Sequence, residues 1–246
     1  MKKKRKSISI CSLIVVSLLV YGSSLTYQEE QIVAEEMTEE TQEEIKYQIK
    51  LKALEEVLIE GGKKALYGTD GVARDYEKAY EIFSKAESLG SMEAYYYLGL
   101  MYDEGYYVEE NNEQAYIWYR KSADAGYATA LNKIGMLYYK GEGVEQSDAQ
   151  AMAYFEKSVT QGNTSAMNNI GMMYHSGAGV EQSYETALEW FMKAAQEGNA
   201  SAMYNVASYY YYGFAVEKDV DLALEWAKKA LAAGYTAAQD LISVCE

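Results

Sequence analysis

Between Ala94 and Cys245 the apolar residues fall at helical spacing. In the run from Ala94 to Tyr102, residues Ala94, Tyr95, Leu98, Met101 and Tyr102 share one stripe at about 100° per residue, which predicts an amphipathic helix. The pattern returns every 36 residues. Ala94, Ala130, Ala166, Ala202 and Ala238 make one column, Tyr102, Tyr138, Tyr174 and Tyr210 a second, and Gly105, Gly141, Gly177 and Gly213 a third. A further set of columns marks a second helix in each period: Ala79, Ala115, Ala151, Ala187 and Ala223, then Trp118, Tyr154, Trp190 and Trp226, followed by Tyr119, Phe155 and Phe191. The chain therefore reads as a tandem array of helix pairs, A and B.

Local chemistry predicts the ends of each pair. Val108, Val144, Val180 and Val216 are each followed three residues later by Asn111, Ser147, Ser183 or Asp219, and the first unit offers Val72 and Asp75. All five are residues whose side-chain oxygen accepts from the free amides of a first helical turn, so helix B starts there. It stops at Gly126, Gly162, Gly198 and Gly234, where the residue past a helix end takes positive φ. Alanine and glycine columns let helix axes approach and the aromatics fill the space between, so each repeat buries its apolar face only against its neighbours. Trp190 is expected to be buried, with truncation to alanine costing roughly 3–5 kcal/mol. The first unit is expected to depart from the pattern, Gly61 and Gly62 interrupting its helix A and its loop to Val72 being shorter. Ala207 stands in the helix A glycine column and Ala227 in the second aromatic column. With no proline in 246 residues and no alternating strand pattern, the fold is predicted all-α.

The units AYYYLGLMYDEGYYVEENNEQAYIWYRKSADAG, ALNKIGMLYYKGEGVEQSDAQAMAYFEKSVTQG and AMNNIGMMYHSGAGVEQSYETALEWFMKAAQEG resemble Sel-one-like repeats, relatives of the tetratricopeptide repeat, over about Ala65 to Cys245. The resemblance implies an α/α solenoid, a right-handed superhelix of 36-residue helix-turn-helix repeats. Together with the residues that precede the array, the chain is expected to divide into a signal peptide or membrane anchor (1–24), an acidic linker (25–46), a degenerate capping repeat (47–93), four tandem repeats (94–237) and a C-terminal cap (238–246). The resemblance also implies an adaptor or scaffold that binds a protein or peptide, with no catalysis, cofactor or small-molecule substrate. Some exported family members are linked to cell-wall compounds, so a cell-wall-associated hydrolase or β-lactam-binding protein is the alternative, as is a purely structural surface protein. Some exported members carry a disulfide in each repeat, and this chain does not.

The stretch MMYHSGAGVEQS (Met172–Ser183) holds the single histidine and a Gly-x-Gly loop. The loop recurs as MLYYKGEGVEQS, a helix rather than a strand precedes it, and Gln146 and Gln182 stand where a dinucleotide fingerprint needs its third glycine, so it reads as a turn. His175 shares its column with Asp103, Tyr139 and Tyr211 and has no partner set for catalysis or metal binding, so it reads as a surface contact residue. No catalytic, cofactor or metal residues are predicted.

The face of helix A opposite its apolar stripe is the candidate site. It carries Tyr96, Tyr97, Leu100 and Asp103; Asn132, Lys133, Met136 and Tyr139; Asn168, Asn169, Met172 and His175; and Tyr204, Asn205, Tyr211 and Tyr212. In related superhelices this face lines the concave groove. Carboxamides can pair with an extended peptide backbone and tyrosine offers wide contact area with a polar tip, which points to a peptide-binding groove. Tyr102, Tyr138 and Tyr174 lie on the apolar stripe and are expected to pack.

The N-terminus, MKKKRKSISICSLIVVSLLVYGSS, sets five basic residues before a largely apolar stretch from Ile8 to Val20. That is a signal-peptide pattern; the second reading is an uncleaved anchor through residues 8–25, and both export the repeats. Residues 28–44 hold eight glutamates and no basic residue, a solvated linker or frayed helix. The formal charge of −15 becomes −20 once Lys2, Lys3, Lys4, Arg5 and Lys6 leave with a signal, which disfavours nucleic acid. Cys11 lies in the apolar stretch, so Cys245 is left alone and the stacked core must supply stability.

Overall fold

The computed structural model describes residues 39–246, all of whose regular structure is helical. The expected signal or anchor, Cys11 and most of the acidic linker lie outside the described residues. Two compact units are present, one ending at Ser91 and one running from Met92 to Glu246.

In the first unit, α1 (Glu39–Tyr67) pairs with α2 (Tyr76–Glu87). The last eight residues of the expected linker are thus already helical. Gly61 and Gly62 do not interrupt helix A, contrary to the sequence expectation: α1 runs through both. Gly62 is a contact residue, since a Cβ there would sit 2.4 Å from the Phe83 ring of α2. The loop is longer, not shorter. The left-handed glycine that ends helix A stands four residues before Val72 at Gly68, against three before Val144 at Gly141.

In the second unit, A helices α3 (Met92–Asp103), α5 (Ala128–Lys140), α7 (Thr164–Ser176) and α9 (Ala200–Tyr212) alternate with B helices α4 (Asn112–Asp124), α6 (Asp148–Val159), α8 (Tyr184–Gln196) and α10 (Val220–Ala232), closed by α11 (Ala238–Cys245). The heaviest contacts join helices consecutive in sequence, as a solenoid requires. Asp75, Asn111, Ser147, Ser183 and Asp219 all cap helix B, accepting from the third following amide at 2.9, 2.9, 3.3, 3.1 and 2.9 Å. Each such cap contributes about 1 kcal/mol. Asn163 and Asn199 cap α7 and α9 in the same way, from positions the sequence reading passed over.

Between the paired helices sits a core of one motif. The A-helix glycines Gly99, Gly135 and Gly171 lie against Tyr119, Phe155 and Phe191, so closely that a Cβ would come within 2.7, 2.6 and 2.6 Å of the ring. In the last repeat both members change together, Ala207 and Ala227 meeting in one buried cluster with Leu241 and Ile242 of α11. Ser122 and Ser158 are buried and donate to the carbonyls of Met92 and Ala128, tying helix B to the start of helix A in the same repeat.

Trp190 is only half-buried, against expectation. It precedes the fully buried Phe191 by one residue, hence by about 100° around the helix, and packs sideways onto the Phe155 cluster of the previous repeat. Lys193 lies 4.6 Å over its ring, and the arrangement repeats as Lys121 on Trp118 at 4.2 Å, Lys157 on Tyr154 at 5.2 Å and Lys229 on Trp226 at 4.3 Å. These cation–π pairs let a large aromatic stay at the surface of helix B.

Candidate functional site

The A-helix face of the second unit carries a cleft of about 280 Å³ formed by α3, α5, α7 and α9 with the loop after α5. Of the predicted contact residues it brings together Asn132, Lys133, Asn168 and Asn169, along with Asp103 and Met136 from the same face.

These side chains are not independent probes. Asn169 Nδ2 donates to Asn132 Oδ1 at 2.9 Å, and Asn205 Nδ2 to Asn168 Oδ1 at 2.8 Å. Each bond spans 37 residues and ties one A helix to the next, so the asparagines are rungs between repeats. Each rung uses one donor and one acceptor, leaving capacity on both carboxamides. Asn132 Nδ2 and Asn169 Oδ1, at the cleft wall, make no hydrogen bond among the described residues.

At the cleft's α3 end, Asp103 Oδ2 accepts from Tyr119 Oη and from Lys133 Nζ, both at 2.9 Å. Three helices thereby share one carboxylate. Burial, then the Asp103 charge, push the Tyr119 phenol well above its ordinary range, so it stays a donor. The other lysine of the cleft, Lys140, is paired with Glu142 at 3.2 Å. With both lysines neutralised by a carboxylate, the wall is polar and without net charge, although the chain is strongly acidic. It offers carboxamides, the hydroxyls of Ser165 and Ser201, and the thioether of Met136: groups that hydrogen-bond and pack. No group of three or more His, Cys, Asp or Glu side chains is placed to hold a metal among the described residues.

The remaining predicted residues do not line the cleft. Tyr97 is buried, 8 % exposed, as is Leu100, and Tyr96 packs against Tyr97, Tyr119 and Tyr127 with ring centroids 5.2, 5.6 and 5.3 Å away. These two tyrosines are packing residues, at the column positions that hold Asn132 and Lys133 on α5, Asn168 and Asn169 on α7 and Tyr204 and Asn205 on α9. Tyr139 is half-buried, its carbonyl accepting from Gln146 Nε2 at 3.1 Å. Tyr204 tilts onto Tyr235 at 5.0 Å, and Tyr211 meets Tyr212 edge-on at 5.0 Å. His175 is not a lone surface contact. Its Nδ1 lies 2.7 Å from the buried Tyr209 hydroxyl, and its ring sits 5.3 Å from Tyr184 and 5.7 Å from Phe214, in an aromatic cluster joining two repeats. The expected packing of Tyr102, Tyr138 and Tyr174 is observed, Tyr138 stacking on Tyr154 at 5.5 Å.

Sequence reasoning missed Lys140, Glu142, Ser165, Asn199 and Ser201. The last three belong to the first turns of α7 and α9, and the signal was present: Asn163 and Asn199 precede each helix at capping position, and side chains lean toward a helix's N-terminus.

Five stretches, 65–91, 93–127, 128–163, 164–199 and 200–235, match the Sel1 repeat. A protective antigen of uropathogenic Escherichia coli displaying an SLR fold is 31% identical, with a TM-score of 0.62 over 80% of this chain, which spans 42% of the antigen's length. A Sel1 repeat protein from Oxalobacter formigenes is 26% identical, with a TM-score of 0.67 over 95% of this chain and 86% of that one. An immunity protein from Pseudomonas aeruginosa, 24% identical with a TM-score of 0.57 over 77% of this chain and 68% of its own, shares the fold. No curated protein matches. With the repeat matched over most of its length and its all-helical paired architecture, the chain belongs to the Sel1 repeat family.

Proposed function

We propose that this chain is a non-catalytic scaffold that holds an extended stretch of another protein along the A-helix face of its second unit, and that it does so outside the cytoplasm. Sel1 repeats are generally scaffolds for protein–protein contact, and the observation that carries the reading here is the cleft with its asparagine rungs. An extended backbone presents one N–H and one C=O per residue. The unused Asn169 Oδ1 and Asn132 Nδ2 are an acceptor and a donor able to take one of each; Met136 in the cleft, and the exposed Met172 one turn along α7 from Asn169, outside the cleft lining, offer adaptable apolar contact. A wall without net charge selects backbone and small polar or apolar side chains over a highly charged ligand.

Export rests on the basic-then-apolar N-terminus, and the similar Escherichia coli protein is a protective antigen. No helix among the described residues is long and apolar enough to cross a membrane. Under this reading, any attachment runs through residues 8–25.

The test is selection of displayed random peptides on the immobilised full chain, repeated with Met136→Arg and Met172→Arg, whose helicity circular dichroism must show unchanged. Peptides that bind the natural chain and lose at least about tenfold, roughly 1.4 kcal/mol, on either variant support the reading. Enriched peptides that ignore both substitutions, or no enrichment, overturn it. Export is tested separately, by protease accessibility on intact host cells.

A further inference from the structure

The helix α1 is far longer than its partner. At about 1.5 Å per residue its 29 residues reach roughly 43 Å, while the 12 residues of α2 cover about 18 Å. The contact between Gly62 and Phe83 places α2 against the C-terminal part of α1. The part from Glu39 to Val57 continues beyond it with two apolar faces, and Leu58, one turn before Gly62 on the same side of the helix, stands at the edge of α2. Ile45 and Ile59 are buried on one. On the other, Tyr47 and Leu54 are exposed, the latter by 47 %, and Leu51 and Leu58 are half-buried, with exposed Val57 beside them. A solvent-facing apolar stripe of this kind on a helix otherwise rich in Lys and Glu marks a contact surface.

The spacing says which. Tyr47, Leu51, Leu54 and Leu58 are separated by four, three and four residues, the alternation of a and d positions in a heptad, with Leu at both a positions. In that register Lys50 is a g position and Glu55 the e position of the next heptad, the pair that faces across the seam when two such helices run parallel. Neither Lys50 nor Glu55 is held in an ion pair among the described residues. An antiparallel pair would instead set Glu43 against Lys64, but Glu43 is bonded to Lys46 at 2.8 Å and Lys64 to Asp70 at 3.2 Å. We propose that Tyr47, Leu51, Leu54 and Leu58 form the seam of a short parallel coiled coil between two copies of this chain, flanked by Lys50–Glu55 pairs. A two-fold axis along the seam gives both pairs at once and closes the assembly at a dimer. Four layers make a reversible contact that depends on concentration, and none of their residues lines the peptide cleft.

The test uses the full chain in mild detergent, followed by sedimentation equilibrium over a concentration series. The natural chain is expected to pass from monomer to dimer and Leu54→Glu to remain monomeric with unchanged helicity. Lys50→Glu places like charges across the seam twice and is expected to weaken association roughly tenfold. Adding Glu55→Lys to it reinstates the pairs with reversed polarity and is expected to restore the dimer. Leu54→Cys, in a chain with Cys11→Ser and Cys245→Ser, is expected to yield a disulfide-linked dimer on mild oxidation, because parallel d positions face each other. A chain that stays monomeric, a dimer that survives Leu54→Glu, or a charge swap that fails to restore association overturns the proposal.

Discussion

Gly171 and Phe191 form a matched pair: a Cβ on the glycine would lie 2.6 Å from Cε1 of the ring. Gly171→Ala gains helix propensity but must displace a fully buried phenyl, and a net loss of about 1–2 kcal/mol is expected. With Phe191→Ala already in place the same substitution should cost nothing, since Ala207 and Ala227 show that the small pair packs. A double-mutant cycle by urea denaturation measures the coupling.

The two aromatics of helix B should separate in energy. Phe191 is 1 % exposed and Trp190 half-buried under a lysine. Phe191→Ala is expected to cost about 3–5 kcal/mol, and Trp190→Ala, despite its larger ring, about 1–2 kcal/mol. Equal losses would contradict the observed burial.

Ala215 holds φ of 60°, at the column where Gly143 and Gly179 have 69° and 70°. Ala215→Gly should therefore raise stability by about 1 kcal/mol in thermal melts. The converse change is more costly. Gly143→Ala adds a Cβ 2.3 Å from the Asn112 carbonyl carbon at the start of α4, and a loss of about 2–4 kcal/mol is expected.

The Asn168–Asn205 rung predicts non-additivity. Each single alanine substitution should cost about 1 kcal/mol, and the double little more than either alone, because the rung is lost in all three cases and Asn205 gives up beyond it only a weak contact with Met172 Sδ at 3.8 Å. Additive losses would mean that each carboxamide has an independent role.

Tyr119 sets an alkaline limit. Its folded pKa is raised above the unfolded value by burial and by Asp103, so the native state keeps a proton that the unfolded chain releases. Stability is fully present below about pH 10 and falls as pH rises beyond it. Denaturant midpoints taken across that range should show this slope, and Tyr119→Phe should flatten it while losing about 1 kcal/mol at neutral pH with its bond to Asp103. The half-buried Tyr138, raised to about 12 by its bond to Tyr116 and by burial, adds a slope of the same sign.

Local sequence chemistry determined the repeat, its helix boundaries and its fold. A cap at Asn111 acts on an amide three residues away, and a left-handed glycine such as Gly126 acts on the helix it ends, so both are written within a few positions. The same locality misled at Gly61 and Gly62, where propensity argued for a break but the space needed by Phe83 explains the glycine at 62. Tertiary structure decided how exposure is divided and what the A-helix face offers. A helical wheel placed Asn132 and Asn169 on one face but could not show that they bond each other across 37 residues. Nor could it show that Tyr96 and His175 are drawn into aromatic clusters rather than the cleft. Those outcomes depend on the stagger of one repeat against the next, a relation set by packing between residues distant in sequence, which no window along a single helix contains.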